Sequence, residues 1–175
     1  ILFLAYLVKR KGLSFLLDAM PRVWDVVPQA RLTVVGDGPD AALLRAQAAA
    51  LPHAGRIVFA GAAAHGDTAD CFRRAALYVL PSLGEPFGLS VLEAMSTGLP
   101  VAGFATGSLP ELVAEDNRPL LAAPRDGVSL ASSLIHLLQD APLRQRLGAA
   151  NRQRVLAEFT WGRVAAQVAA CYAEV

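Results

Sequence analysis

The segment ALYVLPSLGEPFGLSVLEAMSTGLPV, residues 76–101, decides the fold. It opens with an apolar run that Pro81 stops, which reads as a buried strand. A turn-rich stretch follows, Ser82 to Pro86. Residues 88–98, GLSVLEAMSTG, then read as a helix bounded by glycines. The next run, PVAGF at 100–104, is again short, apolar and β-rich. Strand, loop, helix and strand in this order form the repeating unit of a parallel α/β sheet.

The same alternation extends in both directions. Upstream, ILFLAYL (1–7), ARLTVVG (30–36) and RIVFAG (56–61) read as strands. Helices separate them at 12–27, where Leu13, Leu16, Leu17, Met20 and Trp24 recur at helical spacing, at about 40–51, and at 67–75 with Asp67 or Thr68 as its cap. Downstream, a short helix at 108–114 precedes a last strand, PLLAA, at 119–123. From about Asp126 the chain turns all-helical, with helices at 128–139, at 142–158 with Pro142 in the first turn, and from near Thr160. The expected architecture is an α/β, Rossmann-like, doubly wound parallel sheet of about six strands with C-terminal helices. In such a sheet, ligands bind outside the carboxyl ends of the strands. The loops after Leu7, Val35 and Leu80 are therefore where chemistry belongs.

Composition bounds the function. The 175 residues suit one domain, and 54% of them are hydrophobic against 18% charged, enough for a large core. No apolar run approaches the roughly 18 residues of a membrane span. The net charge is +1, and no basic stripe with interleaved aromatics appears, so a nucleic-acid partner is not expected. Cys71 and Cys171 form no CxxC pair and suit a reducing, cytoplasmic setting. The chain does not begin with Met, opens inside a strand and shows no signal peptide, and the expectation is a piece of a longer protein.

The loop after the fourth strand carries two carboxylates, Glu85 before the helix and Glu93 on it. Between them Phe87, Gly88 and Leu89 open the helix, and their free N–H groups and the helix dipole suit an anion. Gly88 leaves room for a ligand at the backbone. Two glutamates at this spacing alone would read as solvated side chains. Embedded in PSxxEPFGxxxLEAMxxGxPV, they read as a site. Lys11, after the first strand and before Gly12, can point a compact charge at a phosphate. Gly36, Gly38 and Ala41 fit a loose G-x-G-x-x-A fingerprint, but the next strand ends Phe59-Ala60-Gly61 without the acid that a dinucleotide site needs. His53, His65 and His136 are isolated, and neither they nor any DxD-type motif suggests a metal.

These motifs resemble the C-terminal domain of the large retaining glycosyltransferase family, group 1, that includes glycogen synthase, sucrose synthase and bacterial mannosyltransferases. The likeness runs through Lys11-Gly12, VVGDGP, the VxFxG strand, PSxxEPFGxxxLEA, GLPV and the late FTW. It implies one half of a GT-B fold of paired Rossmann-like domains. Residues 1–175 would form the nucleotide-sugar (donor) domain, with the N-terminal acceptor domain not among them. It further implies sugar transfer from a nucleoside-diphosphate sugar with retention, in polysaccharide or glycoconjugate synthesis. Lys11 would contact the diphosphate, Glu85 the sugar hydroxyls and Glu93 the ribose. The amides of Phe87, Gly88 and Leu89 would sit against sugar and diphosphate. Gly36 and Gly38 would turn beside the nucleotide, and the strand from Val58 and Phe59 to Gly61 would border the base. No cofactor or metal is expected, since protein groups supply the charge. The partner is the protein's own acceptor domain, against which the last helix would pack. Isolated, these residues would bind nucleotide weakly, self-associate through that helix and catalyse nothing. Lipid-linked acceptors, common in the family, would bring the full-length enzyme to membranes.

Three departures stand out. Ala5-Tyr6 replaces the family's Gly-Arg, whose arginine joins the lysine on the diphosphate. Losing such a charge-assisted contact costs about 1.5–3 kcal/mol, on the order of 10- to 100-fold in binding. Gly107-Ser108 replaces Gly-Gly, and Pro119 replaces a glycine near the sixth strand. They support an alternative, a degenerate module that binds a nucleotide or a protein without catalysis. A third reading, an epimerase of similar two-domain build, fits poorly with EPFGLSVLEA.

Overall fold

A computed structural model describes residues 1–173. Six parallel strands form one sheet: β1 (Leu2–Leu4), β2 (Leu32–Val35), β3 (Ile57–Gly61), β4 (Tyr78–Leu80), β5 (Val101–Phe104) and β6 (Leu121–Ala122). Their spatial order is β3-β2-β1-β4-β5-β6. The order reverses between β1 and β4, whose loops therefore leave in opposite directions and open a crevice.

The connecting helices are α1 (Leu13–Val26), α2 (Ala41–Ala49), α3 (Thr68–Arg73), α4 (Leu89–Ser96) and α5 (Leu109–Leu112), followed by α6 (Gly127–Gln139), α7 (Ala141–Glu158) and α8 (Trp161–Ala173). Helices α1, α2 and α6 pack together on one face, and α3 and α4 on the other, with α7 behind α4. Strands β1, β4 and β5 are covered on both sides, so Phe3, Tyr78, Val79, Leu80, Val101 and Phe104 are fully buried. This is why those segments read as continuous apolar runs rather than alternating ones. Phe15 of α1 meets Phe104 of β5 edge to face at 5.5 Å, and Phe72 of α3 meets Tyr78 likewise at 5.5 Å.

The elements expected from sequence are present, with shifted ends. Ladder pairing in β1 stops at Leu4 rather than Leu7. Beyond it the chain still clings to the β2 loop, through Ala5 N–H to the Val35 carbonyl and Leu7 N–H to the Asp37 carbonyl. The third helix is shorter than 67–75, because a 3-10 turn at His65–Asp67 leads into it. The last strand pairs over only two residues, because a 3-10 turn at Glu115–Leu120 uses up the expected start. Asp126 and Asp140 cap α6 and α7 by accepting hydrogen bonds from first-turn amides.

Two buried asparagines that the sequence did not single out hold α7 to the sheet. The Asn117 side chain accepts from Val101 N–H and donates to the Val101 carbonyl. Asn151 donates to the Leu99 carbonyl and to Asn117 Oδ1, and accepts from Ala114 N–H. Helix α8 is the opposite case. Its residues 161–172 are all exposed, with Trp161 at 87% and Tyr172 at 80%. Among the described residues, no helix is long and apolar enough to cross a membrane.

Candidate functional site

The loops after β1 and β4 meet across the crevice. A 3-10 turn at Lys9–Lys11 ends in Gly12, which caps α1. The Arg10 carbonyl in that turn accepts from Leu83 N–H at 2.7 Å and from the Ser82 hydroxyl at 3.0 Å. These bonds bring Lys11 to Glu85, 74 positions away in sequence. Lys11 Nζ donates to Glu85 Oε2 at 2.6 Å, and the two side chains are 14% and 8% exposed. The pair sits at the sheet's switch point. Its charges cancel, and both groups are held where a polar ligand could replace each as the other's partner.

Gly88 follows with φ 88 and is the N-cap of α4. That positive φ favours glycine, and a Cβ there would also push aside a Leu112 methyl 2.6 Å away. Among the described residues, the N–H groups of Phe87, Gly88 and Leu89 donate to no protein acceptor. The Phe87 and Leu89 side chains are exposed, at 56% and 65%. What this turn offers is therefore its backbone, at the positive end of α4. Glu93 lies one turn further, half-buried, and its carboxylate has no ion pair among the described residues.

Below the two carboxylates, the fully buried Tyr78 bridges the Leu4 carbonyl (3.0 Å) and the Ser90 hydroxyl (2.9 Å). Burial, and then the charges of Glu85 and Glu93, push its pKa upward, partly opposed by the Ser90 hydrogen bond. The hydroxyl therefore stays protonated and tethers the first turn of α4 to β1.

On the other side of the switch point lies an open cavity of about 320 Å³. Leu4, Ala5, Val35, Gly36, Ala62 and Ala63 give it an apolar wall, and Tyr6, Asp37 and Thr68 complete it. Tyr6, 63% exposed, stands at its edge. Gly36 and Gly38 pack directly on the backbone of Ala5 and Leu7, so their smallness draws this loop against the exit of β1. Phe59 lies under the Arg45 guanidinium at 4.7 Å, and Val58 is half-exposed. Neither lines the cavity. The residues just after their strand do, Ala62 and Ala63. A larger hollow, about 480 Å³, runs along the sheet past Arg31, Thr33, Ala60 and Arg74, and of the strand expected to border the base it takes only Ala60.

The histidines are dispersed. His53 meets the Trp24 ring edge-on, His136 is exposed, and the His65 side chain lies outside the described residues. Among the described residues, no group of three His, Cys, Asp or Glu side chains is placed to hold a metal. Reading the sequence missed Ala62, Ala63 and Thr68, which carry no motif. It also missed Tyr78, which reads as one more strand residue, and Ser82, whose place in the PS pair of the motif was the only signal.

This is an open α/β sheet with a cation, a carboxylate and three free amides gathered at its switch point, the layout of a domain that binds an anionic ligand. The match to known proteins is specific. Residues 1–154 fit the family described as glycosyl transferases group 1, and the chain belongs to that family. Glycogen synthase from Mycobacterium tuberculosis is 34% identical over 172 residues, 98% of this chain and 42% of that protein. The C-terminal domain of a glycosyl transferase group 1 family protein (LpcC) from Francisella tularensis superposes with a TM-score of 0.79 at 25% identity. That match covers 91% of this chain and 85% of that one. The Anabaena protein HepE, solved in complex with UDP, shares the fold with a TM-score of 0.89 at 23% identity, over 99% of this chain and 48% of that one. The chain spans less than half the length of the curated relatives it matches.

Proposed function

We propose that residues 1–175 are the donor-binding domain of a glycosyltransferase that moves a sugar from a nucleoside-diphosphate sugar to an acceptor held by a second, N-terminal domain. The observation that carries this reading is the Lys11–Glu85 pair beside the free amides of Phe87, Gly88 and Leu89. One arrangement serves both parts of such a donor. The diphosphate takes Lys11 Nζ and the amides at the N-terminus of α4, and the sugar hydroxyls take the Glu85 carboxylate that Lys11 releases. Glu93, unpaired on α4, accepts from the ribose. The nucleoside lies in the apolar cavity beyond Tyr6, against Gly36, Gly38 and the segment that follows Val58 and Phe59.

In the reaction, the bond from the anomeric carbon to the diphosphate oxygen breaks through an ion-like sugar. The electron pair leaves with the diphosphate, the acceptor hydroxyl oxygen bonds to the anomeric carbon, and the hydroxyl proton passes to the departing diphosphate oxygen. Lys11 and the α4 amides stabilise the charge on the leaving group, with no metal required of the protein. Retention at the anomeric carbon follows the family pattern. The coverage of the relatives, and of the separately solved Francisella domain, supports a two-domain enzyme of which this chain is one half. The bare apolar residues of α8 suit packing against the other half, and in its absence self-association. A cytoplasmic enzyme, reaching membranes only through a lipid-linked acceptor, fits this reading.

Tyr6 favours a second reading, a domain that has lost catalysis and keeps weak nucleotide binding. Calorimetric titration with UDP, GDP and ADP tests the site that both readings share, and sugar transfer by the full-length protein separates them. Binding of one nucleotide, lost in Lys11→Ala and in Glu93→Ala, supports the donor site. No binding at millimolar nucleotide removes it.

A further inference from the structure

We propose that Ser108 is a positioning residue that sets Glu85 for the donor sugar, an inference that rests on the donor-site reading above. The loop between β5 and α5 wraps over the segment that carries Glu85. The Thr106 hydroxyl donates to the Ser82 carbonyl at 2.6 Å. Gly107, at φ 54, presses on the Glu85 backbone so closely that a Cβ would lie 2.4 Å from the Glu85 carbonyl oxygen. Ser108 completes the clamp. Its N–H donates to the Glu85 carbonyl at 2.9 Å, and its hydroxyl reaches both the Glu85 and the Phe87 carbonyls at 3.0 Å.

The hydroxyl thus staples the peptide on both sides of Pro86, which separates the carboxylate from the free amides of α4. With φ −73, Ser108 needs no glycine. From sequence, Ser108 counts as a departure from the family's second glycine. In the fold it adds a donor that glycine lacks, aimed at the two carbonyls that orient the site. The opposite side of the same segment is already fixed by the Arg10 carbonyl. Ser108 removes the remaining freedom of Glu85 and steadies the Phe87–Gly88 peptide, while the nucleoside cavity is not lined by it.

The effect therefore falls more heavily on the sugar than on the nucleotide, because the diphosphate keeps Lys11 and the Phe87 and Leu89 amides. The test is calorimetric titration of this chain with three probe pairs: UDP and UDP-glucose, GDP and GDP-mannose, ADP and ADP-glucose. In Ser108→Ala, affinity for the diphosphate stays within twofold of wild type. Affinity for the sugar conjugate falls roughly three- to tenfold, the fold-change of one neutral hydrogen bond. Ser108→Thr, which keeps the hydroxyl, restores the ratio of the two affinities. A general loosening of the fold would lower both affinities together. If the alanine variant does not fold, Ser108→Gly, which keeps the N–H bond, carries the same comparison. A wild-type ratio in the folded alanine or glycine variant overturns the inference alone. Wild-type chain that binds none of the six probes overturns the donor-site reading and this inference with it.

Discussion

The two sides of the switch point are built differently. The β4 side is dense and charged: the segment from Ser82 to Phe87 is held by Arg10 on one flank and by Thr106 and Ser108 on the other, and it buries Glu85 against Lys11. The β1–β3 side is open and almost uncharged, a cavity of small residues with Tyr6 at its edge. The family motif is concentrated on the first side, and the Ala5-Tyr6 departure falls on the second. A rigid, precharged half can fix the reacting end of a ligand, whereas a smooth hollow gives contact area without orientation. On the proposed function, the contrast means a chain that keeps the geometry for the sugar and changes the means of holding the phosphates.

The largest test of that contrast is on the charged side. Lys11→Met leaves the Glu85 carboxylate almost buried with no counter-charge, a change that costs about 3 kcal/mol or more at such sites. Urea denaturation at neutral pH should show that loss, and the double variant Lys11→Met/Glu85→Gln should recover most of it. If the single variant is as stable as wild type, the pair is solvated in solution and the β4 side is not the rigid half.

The architecture was readable because buried parallel strands and intervening helices leave different periodicities, and because the loop from Pro81 to Leu89 is a motif in itself. Lys11, Glu85, Glu93 and the α4 turn were all reached in this way. What was not readable depends on contacts between distant positions. Nothing near Lys11 in sequence says that its partner is Glu85. Nothing near Asn117 or Asn151 says that each satisfies the backbone of a third element. Ser108 looked like a loss because pattern comparison counts identities, while its value comes from two carbonyls more than twenty positions away. Helix α8 was read as the last part of an all-helical tail, but sequence does not reveal whether a partner covers it, and in this fold residues 161–172 are all exposed.

The open side can be tested by gain. Tyr6→Arg restores a guanidinium at the cavity edge, next to the place proposed for the diphosphate. A charge-assisted contact there is worth about 1.5–3 kcal/mol, so nucleotide affinity should rise by roughly 10- to 100-fold, and the gain should shrink as salt is raised. Titration with the nucleotide that wild type prefers would show it. An unchanged affinity would mean that the phosphates do not approach Tyr6, and that Lys11 and the α4 amides hold them alone.

The smallest effect concerns the link between the two sides. Tyr78 spans them, with its hydroxyl on the Leu4 carbonyl of β1 and on Ser90 in the first turn of α4. Because burial keeps that hydroxyl protonated, Tyr78→Phe removes a neutral hydrogen-bond bridge and no charge. The ring still packs against Phe72. The expected cost is about 1 kcal/mol in urea denaturation, since the Leu4 carbonyl and the Ser90 hydroxyl each lose a partner while the ring's apolar burial is unchanged. Nucleotide binding should weaken by a few-fold at most, because the Arg10 carbonyl still ties Ser82 and Leu83 to the Lys11 turn. A stability equal to wild type would show that those backbone bonds alone hold the halves in register. A loss of binding larger than the loss of stability would show that the position of the α4 amides, and through them the anion site, is set from the floor of the crevice by Tyr78.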